Sequence, residues 1–189
     1  MTRLILASQS PRRRELLRQM GVEFDIRPAD TEIEAEGLPP DEAVQAIALA
    51  KGQTVAETAA EGELILAADT EVFFGGELLG KPKDKADAVR MLRQLSGQKH
   101  RVYTGVALIM DGKVRTGAEA TDVYFRALTE DEIVRYAETG EPLDKAGAYG
   151  LQGKAAHFVR RIEGDVYNVI GLPLCLVAEM TREMGVLLF

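Results

Sequence analysis

Leu4-Ile5-Leu6-Ala7-Ser8-Gln9-Ser10-Pro11-Arg12-Arg13-Arg14-Glu15-Leu16-Leu17 is the stretch from which the fold is read. Four apolar residues read as a buried strand; hydroxyls, a proline and three arginines follow, and then an amphipathic pattern that stops at Gly21. Ser10 suits the N-cap of a helix, and Pro11 stands at the first helical position, where a missing N–H costs nothing. The free N–H groups of that helix then face outward beside Arg12 and Arg13. A helix prefers acids in its first turn, so arginines there cost stability unless an anion rests on them. Two guanidiniums at a helix N-terminus can clamp phosphate oxygens. The residues admit two readings, a bound anion or a solvated basic turn.

Working outward, Val22–Arg27 predicts a second strand, closed by Pro28, and the acidic loop 30–37 follows it. Pro39-Pro40 opens a long helix through Lys51 towards Ala60. Leu64-Ile65-Leu66-Ala67-Ala68 is an uninterrupted apolar run and predicts a central strand that ends in Asp69-Thr70. A hairpin across Gly75-Gly76, a helix capped by Asp84 and a long hairpin turning at Asp111-Gly112 come next. Thr129 and Glu132 have the spacing of a capping box. Residues 139–153 read as loop, Phe158–Ile162 as a strand, and a last helix runs from Pro173 to Met184. Strands and helices in this order predict one mixed α/β sheet and a single domain, 1–189, rather than two independent ones.

The composition narrows the function classes. A net charge of −7 over 189 residues disfavours a general nucleic-acid or membrane-surface role, so the basic residues act locally. One cysteine excludes an internal disulfide framework, and Cys175 reads as a small core hydrophobe. The start, Met1-Thr2-Arg3-Leu4, has no signal-peptide pattern and no apolar run is long enough to span a bilayer, so the expected setting is the cytoplasm.

Three places can carry chemistry. Asp69-Thr70 follows the strongest strand, where α/β sheets gather ligands, although a lone turn aspartate is the blander reading. Gly75–Pro82 nearly matches a phosphate-binding P-loop, but Pro82 stands where the metal-binding hydroxyl belongs and no helix follows at once, so a P-loop is rejected. Lys81 beside Pro82 remains a cation within reach of a phosphate, or an ordinary exposed turn lysine. In Leu143–Gly153, three glycines let backbone approach a ligand, Lys145 offers charge, and Gln152 an amide able to read a base edge. Glu32, Glu34 and Glu36 have the oxygens a hard cation wants, though solvated surface is the default for Glu34 and Glu36. His100 and His157 lack metal-ligand spacing and read as structural.

The ordered set Ala7–Arg13, Ala68-Asp69-Thr70, Gly80-Lys81-Pro82, Ser96-Gly97, His100–Val106, Asp144–Tyr149, Gln152-Gly153 and Gly171–Leu174 resembles the Maf family from about Leu4 to Leu176. The resemblance implies a mixed, twisted sheet with flanking helices and a deep cleft between two lobes, related to the inosine triphosphate pyrophosphatases. It implies hydrolysis of a nucleoside triphosphate between the α and β phosphates, with a divalent cation, magnesium or manganese, and a homodimer. By the same resemblance Asp69 activates water, and Arg12, Arg13, Lys51 and Lys81 neutralise phosphate charge. Ser8 and Ser10 add hydroxyl donors, and Glu32 with Asp69 holds the cation. Arg12, Thr70 and Gln152 match the positions that mark the family's dTTP/UTP branch. Glu71 departs from the apolar residue usual after Asp-Thr. As alternation puts residues 69 and 71 on one strand face, it predicts either like-charge repulsion with Asp69 or a solvent-facing side chain. The rival reading is a nucleotide-binding regulator of septum formation and cell division, which needs the phosphate clamp but no water-activating carboxylate.

Overall fold

The computed structural model describes residues 2–29, 31, 33, 35 and 37–188. The chain runs β1 (Arg3–Leu6), α1 (Pro11–Gln19), β2 (Phe24–Ile26), α2 (Pro40–Ala56), β3 (Glu63–Phe74) and β4 (Glu77–Leu79). It continues through α3 (Lys85–Leu95), β5 (Lys99–Met110), β6 (Lys113–Phe125), α4 (Glu130–Glu138), β7 (Val159–Glu163), α5 (Val166–Ile170) and α6 (Leu174–Glu183). Among the described residues, seven strands make a mixed sheet in the order β2-β1-β3-β5-β6-β7, with β4 beside β3. None of the helices among them is long and apolar enough to cross a membrane.

The predicted mixed α/β sheet is the one observed, and most helix ends follow their sequence signals. Ser10 accepts from the Arg13 N–H, Asp84 from that of Asp87, and Thr129 and Glu132 form both bonds of a capping box. Some boundaries differ. β3 does not stop at Asp69-Thr70 but runs twelve residues to Phe74, α2 ends at Ala56, and the short helix α5 was not expected. The expected loop 139–153 contains the 3-10 turns Glu141–Asp144 and Ala146–Ala148, and a third, Lys154–Phe158, follows it. Cys175 is exposed rather than in the core, because α6 turns Val177, Met180 and Thr181 inward and leaves position 175 on its outer face.

The chain divides into two compact units. The first comprises Met1–Asp69, Thr104–Glu119 and Gly171–Phe189. Its strands β1 and β2, and β1 and β3, pair in parallel, with Leu4, Ile5 and Leu6 of β1 opposite Leu64, Ile65 and Leu66. Strands covered on both faces need apolar side chains throughout, which is why these runs do not alternate. Ile5, Ala7, Ile65, Ala67, Ala107 and Ile109 pack against Ala48 and Val55 of α2. The helix lies unusually close to the sheet. A Cβ on Gly105 of β5 would fall 2.2 Å from the Val44 carbonyl oxygen, and one on Gly52 would fall 3.2 Å from Ile109 Cδ1. The close packing thus depends on a missing Cβ at Gly105 on the strand and at Gly52 on the helix, and Lys51 directly precedes Gly52.

The second unit comprises Thr70–Tyr103 and Ala120–Ile170. Its core gathers α3 residues (Met91, Leu92, Leu95), α4 residues (Ile133, Tyr136) and an aromatic group of Phe125, Tyr149 and Phe158. His100 belongs to the same core. It is 2% exposed, stacks edge-on to Phe125 and shares a 2.8 Å hydrogen bond between its Nε2 and the Tyr149 hydroxyl. Burial lowers its pKa to about 4, so the ring is neutral and structural, as expected of a histidine without metal-ligand spacing.

Candidate active site

In the first unit, the turn after β1 builds a cationic corner. Ser10 caps α1, Pro11 begins it, and its first turn holds no acid. Arg13 is pinned twice: its Nη1 donates to Ser8 Oγ at 3.1 Å and its Nε to the Gly171 carbonyl at 2.7 Å. Buried Ser8 also accepts from the Ser10 N–H at 3.2 Å, which fixes the turn. Arg12 is half-buried alongside.

Asp69 lies three residues past Leu66, the last β3 residue in register with β1. It is 8% exposed, and Lys51 Nζ donates to its Oδ1 at 2.6 Å. Its other oxygen, Oδ2, is buried with no hydrogen-bond partner among the described residues. A buried carboxylate oxygen left without a donor is costly, and such an atom suits contact with a ligand. A hard cation or a water suits it chemically. No group of three His, Cys, Asp or Glu side chains among the described residues is arranged to hold a metal. Glu32, the expected second ligand, lies outside the described residues, as do Glu34 and Glu36.

In the second unit, β3 continues through half-buried Thr70 and Glu71, and a Cβ on Gly80 would stand 3.6 Å from Glu71 Oε2. Lys81 is exposed immediately after Gly80. The Gly80 carbonyl accepts from the Gly147 N–H at 3.1 Å, which ties the lysine's turn to the glycine-rich loop. Gly147 has a φ of +65°, and a Cβ there would fall 2.7 Å from Val72 Cγ2, so both conformation and space require glycine. Gln152 is exposed on the turn that follows. Lys145 is engaged within the loop itself: its ammonium donates to the Glu141 carbonyl and to Asp144 Oδ1, each at 2.6 Å.

The structure therefore brings Ser8, Ser10 and Arg13 into one hydrogen-bonded turn, pairs Lys51 with Asp69, and joins the Lys81 turn to the loop of Lys145 and Gln152. Two features escaped the sequence reading. Gly105, a lone glycine in a strand pattern, was itself a signal of close backbone approach. Glu141 accepts from the Lys154 N–H at 2.9 Å and from the Tyr136 hydroxyl at 3.1 Å, and no spacing rule couples those positions.

The Maf-like protein family matches residues 3–184. A dTTP/UTP pyrophosphatase of Anaeromyxobacter dehalogenans is 50% identical, with 97% of this chain and 94% of the relative covered. Proteins of the same description from Moorella thermoacetica (50% identical, 98% and 97% covered) and Halalkalibacterium halodurans (53%, 96% and 96%) are also similar. The fold resembles that of the Staphylococcus aureus Ham1 protein, with a TM-score of 0.50 at 14% identity, covering 96% of this chain and 99% of that one.

Proposed function

Because the chain belongs to the Maf family, we propose that it is a pyrophosphatase of dTTP and UTP, acting on free nucleotides in the cytoplasm and releasing the nucleoside monophosphate and pyrophosphate. One observation carries this reading furthest. Asp69 is a buried carboxylate with Oδ1 held by Lys51 and Oδ2 unpartnered among the described residues. A regulator that only binds nucleotides has no need of such an atom.

In the proposed reaction Asp69 Oδ2 accepts a proton from a water whose oxygen bonds to the α phosphorus. The α–β bridging bond breaks, and pyrophosphate leaves with the electron pair. Lys51 keeps the carboxylate in one orientation, so the base does not reorganise as it takes the proton. Arg12, Arg13 and Lys81 offset the negative charge that grows on the leaving group, with Ser8 and Ser10 as hydroxyl donors. Thr70 and Gln152 are assigned to the base, where an amide can donate to a carbonyl and accept from the neighbouring N–H of uracil or thymine. Lys145 serves the site through the loop that carries Gln152. Asp69 together with Glu32 would hold a magnesium or manganese ion. Such an ion, when bound, supplies Lewis acidity at phosphoryl oxygens and acidifies bound water.

The test is pyrophosphate release from a panel of nucleoside triphosphates with magnesium or manganese. Preference for dTTP and UTP is expected. A purine preference contradicts the base assignment, and nucleotide binding without release from any substrate favours the regulator.

A further inference from the structure

Gln152 sits at a corner of a tight turn, Gly150-Leu151-Gln152-Gly153, closed by the Gly153 N–H donating to the Gly150 carbonyl at 3.2 Å. Both ends of that turn are held from the same place. Lys154, two residues after Gln152, donates its N–H to Glu141 Oε1 at 2.9 Å. The Tyr136 hydroxyl donates to the same oxygen at 3.1 Å. One carboxylate oxygen therefore holds the chain just after the turn and is itself oriented by the phenol, while the Glu141 carbonyl holds the Lys145 stem that lies against Gly150.

Packing makes the bracket rigid. The Tyr136 ring is 4% exposed and stacks edge-on to Phe158, with centroids 5.3 Å apart. A Cβ on Gly153 would fall 2.0 Å from Glu141 Oε1, and one on Gly150 would fall 2.6 Å from Lys145 Cε. Gly153 has φ −108°, so it is glycine for space and not for conformation. The Glu141 carbonyl also takes the Lys145 ammonium, so the residue anchors both the stem under Gly150 and the backbone after Gly153. Gln152 itself is exposed, so its place is set by the backbone of this turn and not by burial.

We propose that Glu141 and Tyr136 are positioning residues for base selection, fixing the turn so that the Gln152 amide meets the thymine or uracil edge in one orientation. This rests on the reading of Gln152 as the base-recognising residue. The physical reason is that uracil and cytosine present inverted donor and acceptor patterns, and an amide free to turn over accepts both. A loosened turn loses discrimination, while the arginines and lysines assigned to the phosphates are untouched.

The experiment compares kcat/KM for UTP, CTP and GTP in the full chain and in Glu141→Ala, Glu141→Gln and Tyr136→Phe. Wild type is expected to favour UTP. In Glu141→Ala the UTP/CTP ratio falls roughly tenfold or more, the scale on which small misplacements act, while kcat on UTP changes little. Glu141→Gln keeps an oxygen that accepts from both donors and retains most of the ratio. Tyr136→Phe keeps the packed ring and shifts the ratio in the same direction as alanine, so it carries the test if Glu141→Ala does not fold. Unchanged ratios, an equal fall for all nucleotides, or Glu141→Gln behaving as Glu141→Ala overturns the proposal. If wild type discriminates and the variants do too, the inference alone falls; a wild type without preference removes the reading beneath it as well.

Discussion

Lys51 Nζ lies 2.6 Å from Asp69 Oδ1, and the two side chains are 24% and 12% exposed. Removing the cation strands a carboxylate that has no other hydrogen bond among the described residues. Lys51→Met is therefore expected to lower kcat roughly 10²-fold, the scale on which a small misplacement of a catalytic group acts. It should also lose about 2 kcal/mol of stability, the cost of leaving a buried charged group unpaired. Steady-state pyrophosphate release and urea denaturation report the two effects; a variant with wild-type kcat contradicts the role given to Lys51.

Gly105 supports α2 from below, with the Val44 carbonyl oxygen 2.2 Å from where a Cβ would stand. Backbone cannot yield as a side-chain tip can, so Gly105→Ala must lift the helix. A loss of about 3 kcal/mol is expected, at the upper end of overpacking costs. Activity should fall with it, because the same helix carries Lys51. A denaturation midpoint equal to wild type would show that the close approach is dispensable.

Acid should weaken the fold through His100. Its pKa is lowered by burial from 6.5 to about 4, so between those values the unfolded chain binds a proton that the folded chain does not. Stability falls as pH falls across that window, by about 1.4 kcal/mol per pH unit and about 3 kcal/mol in all. Asp122 and Glu132, held low by Arg101 and Arg126, add losses only as the unfolded carboxyls protonate, from 3.8 and 4.5 downward. Urea denaturation at several pH values should show the decline from pH 6.5, and His100→Gln should flatten it. A wild-type stability constant down to pH 4 contradicts a neutral buried imidazole.

Much of this was legible because it is local. The cap at Ser10, the capping box of Thr129 and Glu132 and the apolar run into β3 are set by neighbours in sequence, and each is found where its signal lies. Asp69 was legible as a residue but not as a place. The predicted hairpin is present, with Val72, Phe73 and Phe74 opposite Leu79, Leu78 and Glu77, but its first strand and the apolar run before Asp69 are one continuous strand through Thr70 and Glu71. Polar residues 69–71 break the apolar run without breaking the strand, so the run alone does not show the continuity. The Lys51–Asp69 pair and the Glu141 bracket join residues 18 and 12–13 positions apart, through a helix packed on a sheet and a loop folded on itself. Cys175 was misread for a similar reason: which face α6 buries is decided by what it packs against, and the apolar run around the cysteine does not reveal it.

The most direct test of the account is Asp69→Asn, with dTTP turnover and nucleotide binding measured on the same protein. The amide is the same size but cannot take the proton, while the arginines and lysines assigned to the phosphates remain. Turnover should be abolished and nucleotide affinity largely retained. Full activity in the variant, or loss of binding together with turnover, would contradict Asp69 as the group that activates water.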